Sequence, residues 1–238
     1  MKIINVPIEP LEERYSAQWH EWFKHYYISL CIPFVTIDGI TLSDKITTGS
    51  FLDVAGTHHY KFSQLTEISK MFFNNKIQDK DVFFFHDLWF PGLEGIAYMR
   101  DALGIDVKIT GCIHAGTYDI TDFLSHKNMN YWGKPLEESW FRIVDKIFVA
   151  SEYHRRMLIT NRDIDPKKIV ITGFPIYKQK TCCFEKEKIV LFPHRLDTEK
   201  HPEIFDYFKQ KITKIYSEWR WIKTKDMYRT KEEYYNIL

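Results

Sequence analysis

The 238-residue chain lacks a glycine-rich phosphate loop: its 10 glycines form neither a GxGxxG nor a Walker pattern. That absence argues against a dinucleotide enzyme and against a P-loop NTPase. It has only four cysteines, Cys31, Cys112, Cys182 and Cys183. Their spacing matches neither a zinc site nor a disulfide framework; two sit in strand-like apolar runs and two in a polar linker. No apolar run approaches the roughly 18 residues of a membrane span, and no signal-peptide pattern is present. The expectation is a cytoplasmic protein with reduced thiols. Charge of one sign is also missing, with 33 Lys+Arg against 32 Asp+Glu and a net charge of +1. Global charge therefore gives no reason to expect a nucleic-acid or membrane partner.

Aromatic residues are plentiful, at 16% of the chain, more than core packing usually takes. Short apolar runs alternate with amphipathic stretches. Strands are expected at Lys2–Val6, Pro33–Asp38, Asp81–His86, Val107–His114, Lys146–Ala150 and Lys168–Thr172. Helices are expected at Tyr15–Tyr27, His58–Asn75, Gly92–Leu103 (closed by Gly104), Lys134–Val144 and Ser151–Thr160. This alternation predicts an α/β fold with a Rossmann-like parallel sheet and right-handed crossovers. A polar linker follows. A further strand at Lys188–Phe192, a helix at Pro202–Tyr216, a strand at Trp219–Lys223 and a helix at Thr230–Leu238 then begin a second unit. The expected domains are 1–175, a linker over 176–187, and a partial domain over 188–238.

Ligands of open parallel sheets bind at the carboxyl ends of the strands. Arg14 and Ser16 follow the first strand at the head of a helix, where they either hold an anion or serve as cap and solvated charge. His86 and Asp87 end the Phe-rich strand beside Trp89, as an acid/base or metal-binding pair or as a structural histidine. His114 ends the next strand, with Gly116 behind it to permit close approach of a ligand. Thr117 and Asp119 follow, Asp119 also reading as an N-cap for residues 120–124. Ser151 reads as a helix cap, and the adjacent His58 and His59 diverge too far to share a metal. Arg195 and Lys200, at a strand-to-helix turn, offer a fork and a point charge suited to a diphosphate.

The stretch VLFPHRLDTEKHPEIF resembles the donor-phosphate turn of GT-B glycosyltransferases, the glycogen-synthase-like and sucrose-synthase-like class. Arg195 and Lys200 match the Arg and Lys that hold the sugar-nucleotide diphosphate in that class, with Pro193-His194 in place of the usual Gly. DKIFVASEYHRRML, KIVITGFPIY, ITGCIHAGTYD and VFFFHDLWFPGLEGIAYM are similar in order and spacing to other segments of these enzymes. Most of residues 80–205 is thus covered, and the opening VPIEPLEERYSAQWHEWF resembles virus-encoded members.

The resemblance implies transfer of a sugar from a nucleotide-sugar donor to the hydroxyl of a glycan, lipid, protein or modified DNA base. It needs no metal and no cofactor besides the donor. Arg195, Lys200, Arg14 and Ser16 would lie on the donor side. His114, Asp87 and His86 would be catalytic, with Thr117, Asp119 and Trp89 on the acceptor side. The sequence departs from the class by lacking a glycine-rich loop after the first strand. It also reaches Leu238 before the acidic Glu…Glu motif of the donor domain. The expectation is therefore a truncated, split or reduced transferase, with a second polypeptide among the implied partners. A non-catalytic binding half is the alternative. A small metal-dependent hydrolase using His86 and Asp87 is the third reading.

Overall fold

A computed structural model of the chain describes residues 1–11, 14–42, 53–175, 187–194, 196 and 200–226. These fall into two compact units, one ending by residue 175 and the other beginning at residue 187. Arg195, Cys182, Cys183, most of the expected linker and the expected helix at Thr230–Leu238 lie outside the described residues.

The first unit is an α/β domain of Rossmann-like type. Its elements run β1 (Ile3–Val6), α1 (Tyr15–Ser29), β2 (Phe34–Thr36), α2 (Val54–Phe73), β3 (Val82–Phe85) and α3 (Leu93–Leu103). They continue with β4 (Lys108–Cys112), α4 (Phe123–His126), α5 (Asn130–Ile143), β5 (Lys146–Val149), α6 (Glu152–Asn161) and β6 (Ile169–Ile171). The six strands are all parallel, in the order β2-β1-β3-β4-β5-β6. Strand β1 pairs with β2 on one side and β3 on the other, so the order reverses there. The loops leaving β1 and β3 diverge at such a switch point, where open α/β sheets place their ligands.

Alternation along the strands sorts side chains to the two faces. Ile4, Val6, Phe83, Phe85, Ile109, Ile147 and Val149 are almost wholly buried and form the main core. The opposite face carries Asn5, Phe84 and Phe148, with Phe84 against Phe23 of α1 and Asn5 against Tyr27. Both faces being covered explains why β3 reads as an unbroken apolar run.

Local signals set several helix ends. Ser151 accepts a hydrogen bond from the His154 amide as N-cap of α6, and Gly104 closes α3 at φ 67°. Helix α2 begins four residues earlier than expected because the Asp53 side chain caps it through the Gly56 amide. Helix α5 likewise starts at Asn130, with Pro135 inside it. Cys31 is not in a strand. It is exposed, at φ 52°, in the turn that closes α1. Asp119 does not cap a helix: its carboxylate accepts from the Thr121 amide and hydroxyl, and Asp122 caps α4 instead.

Gly111 lies in β4, where an added Cβ would meet the Phe85 carbonyl at 2.5 Å. Backbone atoms cannot yield as a flexible side chain can. Gly111→Ala is expected to cost about 1–3 kcal/mol, readable as a lower urea midpoint by circular dichroism.

The second unit, as described, holds a parallel pair of strands, β7 (Ile189–Phe192) and β8 (Arg220–Lys223), and the helix α7 (Pro202–Ile212). Phe192, Phe205 and Trp221 pack with tilted rings as its small core. Lys223 pairs with Asp206 at 2.7 Å. An apolar groove of about 370 Å³ opens between α7 and the strands, lined by Val190, Ile204, Phe208 and Ile212 among others.

Candidate functional site

The carboxyl ends of β1, β3 and β4 bring together side chains that are far apart in sequence. His86 and Asp87 are consecutive, so they leave β3 toward opposite faces. His86 turns to α1, packed against Phe23, Trp19 and Phe84. Its Nε2 meets Asn5 Oδ1 at 2.8 Å, and the Tyr27 hydroxyl donates to the same oxygen. It is 0% exposed, and Nδ1 has no hydrogen-bond partner. Burial, with His114 and His20 adding repulsion, pushes its pKa down to about 3. His86 is thus a neutral histidine of the core.

Asp87 turns the other way, to α2, where its Oδ2 receives Lys61 Nζ at 3.0 Å. Its Oδ1 accepts from the Trp89 amide. Lys61 also donates to the Trp89 carbonyl and is only 6% exposed. The expected His86–Asp87 pair is therefore divided, each member holding a different partner. Lys61 was not apparent from sequence because its partner lies 26 positions away and its helix shows only an ordinary periodicity.

His114 lies on the rim of the sheet, half-buried. Its Nε2 donates to the His86 carbonyl at 2.7 Å. A carbonyl can only accept, so Nε2 carries the proton and the neutral ring keeps its lone pair on Nδ1. Around it stand Tyr15, Trp19 and Phe174, with ring centroids at 5.4, 5.3 and 6.0 Å. Trp19 in turn donates to the Pro175 carbonyl, pinning the segment after β6 against α1. Burial lowers the His114 pKa, while Asp87 pulls it up and Lys61 down. Cys112, two residues back, is desolvated and pushed up to about 12, a thiol rather than a thiolate.

The head of α1 is the opposite wall. Ser16 is buried, its hydroxyl accepting from the Leu11 amide. Arg14 occupies the N-cap position and lies close enough to Glu9 to hold its carboxyl down, although desolvation dominates and raises it. Gln64 from α2 donates to the Pro7 and Ile37 carbonyls at 2.9 and 2.8 Å, tying the ends of β1 and β2 together.

The other expected acceptor-side residues have structural partners. Thr117 is buried, its amide and hydroxyl both donating to Glu137. Trp89 donates its indole N–H to the same carboxylate at 3.1 Å. Arg162 completes the group, donating to Glu137 Oε2 at 2.9 Å and to the Thr117 hydroxyl at 2.8 Å. Gly116 admits this carboxylate rather than a ligand: an added Cβ there would sit 2.7 Å from Glu137 Oε1. Asp119 lies nearer the surface in its own turn. Lys200 lies in the second unit beside the apolar groove.

Among the described residues, no group of three His, Cys, Asp or Glu is arranged to hold a metal, and no helix is long and apolar enough to cross a membrane. Neither a family model nor a curated protein matches the chain.

Proposed function

We propose that the chain is a GT-B type glycosyltransferase, passing a sugar from a nucleotide-sugar donor to an acceptor hydroxyl. The observation that carries this reading is His114: a neutral imidazole at the carboxyl rim of a parallel sheet, beside the switch point, with its lone pair on Nδ1. Such a group accepts the proton that an acceptor hydroxyl loses as it attacks the sugar's anomeric carbon. Asp87, near enough to affect His114 electrostatically, stabilises the imidazolium formed. His86 supports the site through its carbonyl, and its own ring stays out of the chemistry. The resemblance of the turn at residues 190–205 to the glycosyltransferase class assigns the leaving diphosphate to Arg195 and Lys200, an electrostatic role needing no metal.

One observation favours a second reading, a binding half completed by another polypeptide. The second unit's apolar groove of about 370 Å³ stands open between α7 and its two strands. The hydrolase reading loses ground because His86 and Asp87 face apart and each is already bonded.

A thermal-shift titration with UDP, GDP, ADP and TDP, and with their common sugars, separates the two remaining readings. Ligand at 100 times its Kd adds about 2.7 kcal/mol to the stability of the folded state. A rise in melting temperature for one nucleotide, lost in Arg195→Ala, is the expected result. No rise with any of them would leave the binding-half reading in front.

A further inference from the structure

We propose that Lys61 is a positioning residue: from α2 it locks the turn of residues 86–89, so that the His86 carbonyl fixes His114 with its lone pair on Nδ1. The proposal rests on reading His114 as the proton acceptor of the site.

A lysine on a 20-residue surface helix would ordinarily run its stem along apolar groups and leave its ammonium in water. Lys61 does not. It is 6% exposed, and removing an ammonium from water costs several kcal/mol unless partners replace the solvent. The partners here are the Asp87 carboxylate and the Trp89 carbonyl, with the ammonium 5.8 Å from the Trp89 ring centre. Both hydrogen-bond partners belong to one short turn.

That turn is tied to its neighbours by backbone as well. The His86 amide donates to Val6 of β1, and the Leu88 amide donates to Cys112 of β4 at 2.7 Å. The Trp89 amide donates to Asp87 Oδ1 inside the turn. Lys61 clamps Asp87 and Trp89 together from outside, and the carbonyl of His86 at the head of the turn receives His114 Nε2. A path of direct contacts thus runs from α2 through the turn to one nitrogen of one imidazole. The groups whose charge bears on that ring are Asp87 after β3, Lys61 on α2, the buried His86 and, across from α6, His154. Tyr15 on α1 packs against its face.

The test is a long-range ¹H–¹⁵N correlation spectrum of the intact chain, labelled at histidine and recorded across pH without any donor. The wild type is expected to show His114 as a single Nε2–H tautomer with a midpoint below that of free imidazole. Lys61→Met is expected to give a mixture of tautomers, because the His86 carbonyl is then no longer held where it receives Nε2–H. Lys61→Arg should restore the Nε2–H pattern. A folded Lys61→Met chain with the wild-type tautomer overturns the proposal. Should Lys61→Met not fold, Asp87→Asn probes the same turn from its other end. The proposal then requires a downward midpoint and a mixed tautomer, and an unchanged spectrum sinks it. Nucleotide binding plays no part in this readout. Absence of any thermal shift would count against the transferase while leaving the His114 result to stand or fall alone.

Discussion

Glu137→Ala is expected to destabilise the first unit by about 3–5 kcal/mol, the usual cost of removing one partner from a buried ion pair. Glu137 is 0% exposed and Arg162 only 3%, and their closest approach is 2.8 Å. The carboxylate accepts from the Thr117 amide and hydroxyl, the Trp89 indole and Arg162, so both oxygens are saturated. Arg162 further donates to Asn130 and to the Asn161 carbonyl. Deleting Glu137 strands a guanidinium and an indole N–H inside the protein. The measurement is a urea titration followed by circular dichroism, in which the midpoint falls and the slope is unchanged. Replacing both partners with apolar residues of similar volume, Glu137→Leu with Arg162→Met, should recover most of the loss. If the double variant were as unstable as the single one, the hydrogen bonds to Thr117 and Trp89 would be the larger contribution.

Acidification should unfold the protein through His86. Its pKa in the fold is about 3 against an ordinary 6.5, so between those values the unfolded chain binds a proton that the folded chain refuses. Stability therefore rises with pH across this window, is complete above about 6.5 and falls on acidification. At about 1.36 kcal/mol per unit, roughly 2–3 kcal/mol is gone by pH 4.5 and up to about 5 by pH 3. Asp38, lowered chiefly by its hydrogen bond from His20, acts in the same sense below its ordinary value. Glu9, raised by desolvation, opposes them. His20 is raised by Asp38, so its contribution is present below the ordinary imidazole value and fades at higher pH. Urea midpoints at pH 7.5, 6, 5 and 4.5 should decline steeply in the wild type. In His86→Gln, which keeps a donor near Asn5, the slope should be shallower by about one proton. Equal slopes in the two proteins would assign the acid sensitivity elsewhere.

The alternation of strands and helices was readable because each element carries its own period. The Phe-rich run of β3, the Ser151 cap and the Gly104 stop are local signals, and the structure places them as the residues suggest. The divided His86 and Asp87 follow from the same rule, since neighbours at a strand end point apart. Other features depend on distance in sequence. Asp53 as the start of α2 lies beyond the apolar pattern that reveals the helix. Lys61 with Asp87, and Glu137 with Arg162, are pairs 26 and 25 positions apart, created only when helices dock. Thr117 and Trp89 resembled site residues because they lie just past strand ends. Their polar groups are instead consumed by Glu137, a residue with no mark of its own in the sequence. Of the donor-side residues, Arg195 falls outside the described residues, while Lys200 belongs to the second unit.

The order of the sheet also sets a timetable for synthesis. Strand β1 pairs Ile3 with Val82 and Val6 with Phe85, so its inner edge has no partner until about eighty further residues exist. At about 5–20 residues per second, a ribosome takes roughly 4–16 s to supply them. Throughout that interval Ile3, Ile4 and Val6 are apolar groups on a nascent chain, with only the three-residue β2 to pair against. Until β3 arrives, that inner edge is open to a ribosome-associated chaperone.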